Sequence, residues 1–164
     1  MGEVSRLAKT APLLLLIAIV SGCSIGGPST FVLNNASVDE SYVCPTSAND
    51  LAYTLHATIG VQNGTSSTVT VRSVAVVMIL AAVKGGWLEH VGNRYGASGV
   101  TVSPDRVGAG SSASLVVTFP STCTNGKVPN SGASYGDYSV AFTLFTSSGT
   151  YTILSQNRHR IVAA

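Results

Sequence analysis

Apolar and polar residues alternate along much of the chain, which is the pattern of β-strands that bury one face. The clearest stretch covers residues 51–61, where Leu55, Ile59 and Val61 share one face and His56 lies on the other. Residues 69–80 form a longer apolar run that would also suit a buried helix, but its β-branched residues favour a strand. The predicted strands cover residues 31–38, 51–61, 69–80, 100–102, 112–119, 138–144 and 151–153.

About seven short strands, with turn residues between them and no convincing amphipathic helix after residue 30, predict an all-β fold. An antiparallel β-sandwich is the arrangement that suits this number and spacing of strands. The 164 residues give room for one domain of ordinary size. We therefore expect a single β-sandwich over residues 31–164.

The first thirty residues have a different pattern. A start that carries Arg6 and Lys9 is followed by an apolar stretch over residues 11–20 and then by small residues. This order is typical of a secretory signal peptide. The apolar stretch is too short to span a bilayer core, which needs about 20 residues.

The segment Val20-Ser21-Gly22-Cys23 resembles the lipobox of bacterial lipoproteins. The resemblance implies a signal peptide over residues 1–22, cleavage before Cys23, and lipid on that cysteine. Residues 23–30 would then be the lipidated cysteine and a flexible Gly/Ser-containing tether, and the protein would be held on the cell membrane or outer membrane. An ordinary signal peptide with a chance cysteine remains the alternative.

Two cysteines remain once Cys23 is assigned. Cys44 and Cys123 form an even pair in an exported chain, for which a disulfide is the preferred interpretation. Two free thiols or half of a metal site are the alternatives. A zinc site would need further Cys or His at short spacing, which neither cysteine has.

The segment from Ser134 to Val140 resembles the start of strand F in immunoglobulin-like domains, where a tyrosine, here Tyr138, stands two residues before an inward core position. The resemblance implies an immunoglobulin-like or fibronectin type III-like sandwich. It departs from antibody domains because Val140 stands where their second intersheet cysteine would be, and antigen-type recognition is therefore not implied. A Gly-Asp turn before any strand with a buried tyrosine is the alternative.

The sandwich topology predicts which loops share an end. Asn63-Gly64 is a strong hairpin signal, but in this fold the strands around it belong to different sheets, so we expect a crossover over residues 63–68. The long connections 39–50, 81–99 and 120–137 should then lie together at the end away from the N-terminus. Cys44 and Cys123 fall in two of them, which makes their bond geometrically plausible.

The expected function is non-catalytic binding, or an accessory role, through these distal loops. Aromatic and arginine side chains dominate binding hot spots, and rigid scaffolds place function on loops. The candidate surface consists of Trp87, His90, Arg94, Tyr95, Tyr42 and Tyr135. Trp87 could instead cover the apolar outer face of residues 74–80. The expected partners are the membrane, through the lipid, and a protein or glycan ligand.

Other function classes fit the sequence less well. Nine basic and seven acidic residues exclude a nucleic-acid footprint, which needs a dense Lys/Arg patch. A carbohydrate-binding module would want several coplanar aromatics, and the chain has one Trp. A structural subunit or brace of a cell-envelope assembly is the main alternative, if the face of residues 74–80 is left uncovered.

Catalytic and metal chemistry have little support. No serine lies in Gly-x-Ser-x-Gly, and no strand end pairs a histidine with an acid, so we expect no enzyme activity and no cofactor. The acids Asp39, Glu40 and Asp50 lack the spacing of a calcium loop. The three histidines are expected to be ordinary surface residues rather than metal ligands; they are His56, His90 and His159.

Overall fold

The computed structural model describes residues 30–125 and 134–163, and within these ranges every regular element is a β-strand. The predicted signal peptide and Cys23 lie outside the described residues. The strands are β1 (Phe31–Val38), β2 (Ser41–Cys44), β3 (Leu51–Asn63), β4 (Val69–Lys84), β5 (Arg94–Ala97), β6 (Thr101–Ser103), β7 (Arg106–Val107), β8 (Ser112–Cys123), β9 (Tyr135–Thr146), β10 (Thr150–Leu154) and β11 (His159–Ala163). All seven predicted strands are present.

The strands form two sheets. One has the order β1-β3-β8-β6, and the other has the order β2-β11-β9-β4-β5, with β10 also paired to β9 and β7 to β4. With β1, β3, β8 and β6 as strands A, B, E and D, and with β4, β9 and β10/β11 as C, F and G, this is the arrangement of an immunoglobulin-like sandwich. The predicted fold class is confirmed by this strand order.

The core lies between the sheets and is formed by the inward positions of the long strands. Phe119 and Phe142 are buried and meet edge to face, with ring centroids 6.2 Å apart. The apolar run at 69–80 is a strand, as its β-branched residues predict, and it continues to Lys84. Val77 and Ile79 on its outer face are partly exposed, so this face is less covered than the core face.

The segment after Asn63 is a crossover, as predicted, because β3 and β4 belong to different sheets. Asn63 is completely buried, and its amide nitrogen donates to the backbone oxygens of Ser67, Val107 and Gly108 at 2.8–3.0 Å. Its side-chain oxygen accepts bonds from the backbone N–H and the hydroxyl of Thr65. One side chain therefore holds the crossover to the loop before β8.

The chain changes sheets again between β1 and β2. β1 pairs with β3 in one sheet, whereas β2 runs parallel to β11 in the other. At this crossing the side chain of Asn157 accepts from the N–H of Val38 at 2.9 Å and donates to its oxygen at 2.6 Å. The side-chain amide of Asn157 thus bonds both backbone groups of Val38, the last residue of β1, which also pairs with Ala57 of β3.

The disulfide between Cys44 and Cys123 is present, with a Cα–Cα distance of 6.0 Å. Cys44 ends β2 in one sheet and Cys123 ends β8 in the other, so the bond ties the sheets together. Both lie opposite the end where Thr30 meets Gly64. We call the end that holds the two cysteines the disulfide end; it consists of residues 39–50, 84–94, 120–125 and 134–136. Disulfides are typical of extracytoplasmic domains.

Over residues 30–125 and 134–163, no helix is long and apolar enough to cross a membrane.

Candidate functional site

An open cleft lies between the two sheets at the disulfide end. β6 pairs with β8 only at residues 116–118, so this pairing stops short of the end of β8 at Cys123. In the opposite sheet, β5 is the edge strand. The space between β5 and the end of β8 is about 680 Å³, which is the size range of small-molecule sites. We call it the β5–β8 cleft; its lining includes Met78, Glu89, Tyr95, Ser121, Tyr138 and Ile161.

Two tyrosines and one carboxylate organise this cleft. The hydroxyl of Tyr138 donates to Glu89, and the ring of Tyr95 meets that of Tyr138 nearly at a right angle, with centroids 6.3 Å apart. Asn93 donates to the Tyr95 hydroxyl at 3.1 Å. Burial, reinforced by the charge of Glu89, raises the pKa of Tyr138, so this hydroxyl keeps its proton and remains a donor. Tyr138 is the fourth residue of β9, it stands two positions before the buried Val140, and its hydroxyl bonds a carboxylate.

Trp87 lies in the loop 84–94 at the disulfide end, where it is half-buried. Its indole packs on Gly136 of β9, so closely that a Cβ added there would stand 2.6 Å from Cε2. With Glu89, Tyr138 and Cys123 it lines a smaller cavity of about 80 Å³ beside the β5–β8 cleft. The suggestion that Trp87 covers the outer face of residues 74–80 is wrong, because Gly136 offers a flat stretch of backbone at the end of the sandwich instead.

Gly136→Ala is expected to displace this indole, since the new methyl group would overlap the ring. Overpacking of this kind costs about 1–3 kcal/mol. Trp87 is the only tryptophan, so its emission should shift to longer wavelength in the variant. Gly96→Ala is the matched control because an added Cβ there meets nothing within 4 Å. Unchanged emission in Gly136→Ala would contradict the described packing.

The predicted binding surface is divided by the structure. Arg94 and Tyr95 line the β5–β8 cleft, and His90 is exposed in the loop beside it. Tyr42 stacks on Tyr53 at a centroid distance of 3.9 Å and is not among the residues that line the cleft. Tyr135 is covered by the guanidinium of Arg160, 3.9 Å from the ring centroid.

The expectation of a surface histidine fails for His159, which is completely buried. Its Nδ1 lies 2.7 Å from the backbone oxygen of Asp39, and its Nε2 lies 3.0 Å from the hydroxyl of Tyr53. The neutral ring satisfies both contacts by donating at Nδ1 and accepting at Nε2. The flanking residues Arg158 and Arg160 suggest an exposed segment, but residues alternate between the two faces of β11, so His159 is buried while Arg160 is exposed. His56 is exposed as predicted and pairs with Asp39 at 3.2 Å.

Acid should destabilise the fold through His159. Burial lowers its pKa below the ordinary 6.5, so the unfolded chain takes up the proton more readily than the folded one. The free energy of unfolding should therefore fall as pH drops below about 6.5. The pKa of Asp137 is lowered from 3.8 by Arg160, and its contribution is lost at lower pH.

Urea unfolding of the wild type and of His159→Gln between about pH 7 and pH 5 measures this effect. The slope with pH should be smaller in His159→Gln than in the wild type, and His90→Gln, which alters an exposed ring, should leave it unchanged. Equal slopes in the wild type and His159→Gln would contradict the assignment.

In the described part of the chain, no group of three or more His, Cys, Asp or Glu residues is placed to hold a metal ion.

No protein-family model matches the chain, and no curated protein matches it. Among solved structures, the ASH/PapD-like domain of human CEP192 (PapD-like domain 7) aligns at 14% identity over 92% of this chain and 95% of that chain, with a TM-score of 0.27. AggA, the major subunit of aggregative adherence fimbriae type I from Escherichia coli, aligns at 8% identity over 82% and 95% of the two chains, with a TM-score of 0.35. Similarities this distant carry no functional argument, and the fold assignment rests on the strand order.

Proposed function

We propose that this protein is an exported, lipid-anchored binding module without catalytic activity, whose contact surface is the β5–β8 cleft. The observation that carries the proposal is the cleft itself, about 680 Å³ in volume, with aromatic and charged side chains at its opening. Concave sites of this kind, with a few polar groups among apolar ones, are the usual places for ligands.

The position of the cleft supports the same function. The tether predicted over residues 23–30 would join the sandwich at Phe31, whereas the cleft lies at the disulfide end. A lipid on Cys23 would therefore leave the cleft facing away from the membrane. Mass spectrometry of the native protein tests the anchor: we expect cleavage before Cys23 and acyl chains on that residue, and an unmodified, unprocessed chain would overturn this part.

A fragment screen by ligand-observed NMR tests the cleft, using wild type, Tyr95→Ala and Tyr42→Ala. Tyr95 lines the cleft, whereas Tyr42, which stacks on Tyr53, is not among the lining residues. We expect the hits to be lost in Tyr95→Ala and retained in Tyr42→Ala. Hits that survive Tyr95→Ala and disappear in Tyr42→Ala would move the contact surface to the other side of the disulfide end, and the absence of any hit would reject a ligand cleft.

The second candidate is a structural subunit that docks through the outer face of the larger sheet. On this face Phe145 and Leu154 are 42% and 52% exposed, and Val77 and Ile79 are partly exposed. Exposed apolar patches mark partner sites. Sedimentation equilibrium of wild type and Val77→Glu tests it: self-association that the substitution abolishes would favour this candidate, and a strictly monomeric wild type would remove its self-assembling form.

A further inference from the structure

Glu89 is a partly buried carboxylate with no cationic partner among the residues that the structure describes. The hydroxyl of Tyr138 donates to it, yet no lysine, arginine or histidine among the described residues forms an ion pair with it. The two ion pairs of the described part, His56 with Asp39 and Arg160 with Asp137, lie elsewhere. Charges taken partly out of water are normally paired, so Glu89 is a candidate binding group for a cation.

The surroundings of Glu89 favour a positive charge. A second acid, Asp50, also lines the cleft, whereas Arg94 is the basic residue of the lining. The Tyr138 hydroxyl donates to Glu89, and the Tyr95 ring meets that of Tyr138, so both rings stand near this carboxylate. The charge of Glu89 accordingly contributes to raising the pKa of both tyrosines. In a site partly shielded from water, attraction between opposite charges is stronger than at an open surface.

The cleft also offers surface for a hydrocarbon stem. Met78 and Ile161 contribute apolar surface to the lining, and the rings of Tyr95 and Tyr138 stand beside the carboxylate. Aromatic rings attract organic cations through their faces. Long basic side chains bury their methylene groups along apolar surface and keep the charged head near polar groups.

We propose that the β5–β8 cleft takes an ammonium or guanidinium group on an aliphatic stem, with the carboxylate of Glu89 as its ion-pair partner. This inference rests on the proposed function and names the chemistry of its ligand. The cation can come from a basic side chain of a partner polypeptide or from a free amine. Because Arg94 lines the same cleft, its charge should oppose the ligand.

The test titrates the full chain, in a non-ionic detergent, with Nα-acetyl-lysine methylamide, its neutral norleucine analogue, and 1,5-diaminopentane. Trp87, the single tryptophan, shares a cavity lining with Glu89 and reports binding by fluorescence. We expect a saturable change with the blocked lysine and none with norleucine. Tighter binding of the blocked lysine than of the diamine assigns a polypeptide source, and the reverse order assigns a free amine.

Variants separate the ion pair from general effects. Glu89→Gln should weaken binding about tenfold or more, as loss of a charged hydrogen-bonding partner does. Asp105→Asn, an exposed acid far from the cleft lining, should change it less than about twofold. Arg94→Gln should tighten binding, a gain that misfolding cannot produce.

Three results would overturn the inference. They are a failure of both cationic compounds to bind, equal binding of the blocked lysine and norleucine, and unchanged affinity in Glu89→Gln. Equal binding of norleucine would leave the proposed function standing, since the cleft would then accept a neutral apolar group. If neither cationic compound binds but the fragment hits are lost in Tyr95→Ala, the proposed cation is rejected and the proposed binding cleft stands.

Discussion

The double variant Cys44→Ala/Cys123→Ala should lose about 4 kcal/mol of unfolding free energy, because the disulfide closes a loop of about 80 residues in the unfolded chain. The two cysteines are separated by 79 positions in the sequence and join opposite sheets. Without the bond, β2 would be held at this end mainly by its four-residue pairing with β11. Urea unfolding under oxidising conditions measures the loss from the shift in midpoint at constant slope.

Cys23→Ser is the matched control for this experiment. The disulfide joins Cys44 to Cys123, so replacement of Cys23 should leave the unfolding midpoint unchanged. A double variant as stable as the wild type would contradict the disulfide's role, and so would a wild type that the reductant dithiothreitol does not destabilise.

Asn63→Ala should lower the free energy of unfolding by about 3 kcal/mol, because it removes a buried amide and leaves the groups that bond to it without a hydrogen-bond partner. Three backbone oxygens lose their donor, those of Ser67, Val107 and Gly108, and Thr65 loses its acceptor. The crossover between the sheets and the loop before β8 should loosen together. Urea unfolding gives the stability, and amide hydrogen exchange over residues 64–70 shows the local opening.

Asn35→Ala provides the comparison, because that side chain makes one exposed bond, to the backbone N–H of Gly60 at 3.1 Å. Its cost should stay below about 1 kcal/mol. Asn63→Asp should also destabilise, since the carboxylate keeps the acceptor and loses the donor. Equal costs for the two alanine variants would show that burial of Asn63 contributes nothing.

The long strands were predictable because their signal is local. Each alternates in its own sequence, and the β-branched residues of 69–80 decide between helix and strand. The crossover after Asn63 followed from topology, which overrode the hairpin preference of Asn-Gly. The same topology put both cysteines at one end, where the structure joins them.

The short edge strands could not be predicted in the same way. β2, β5 and β7 have two to four residues each, too few for a period to appear, and are defined by pairing with distant strands. The crossing of the first strand between sheets depends on Asn157, whose partner Val38 lies 119 positions away. Contacts between residues so far apart in the sequence cannot be predicted from the local pattern of polar and apolar residues.

The candidate site was predicted only in part. Of the residues chosen from the sequence, Arg94 and Tyr95 line the cleft. Glu89 was missed because a lone acid in a polar loop has no distinctive signal; its significance comes from Tyr138, 49 positions away. The position of Trp87 depends on Gly136, 49 positions along the chain, where the absence of a side chain leaves room for the indole.

The most direct test of the binding cleft is amide chemical-shift mapping of the full chain with the blocked lysine. The largest shifts are expected in Arg94–Ala97 of β5 and at Ser121 and Thr122 of β8, which face each other across the opening. Shifts centred on Val77 and Ala141, at the middle of the outer face, or on the loop at 63–68, would contradict a contact surface at the disulfide end.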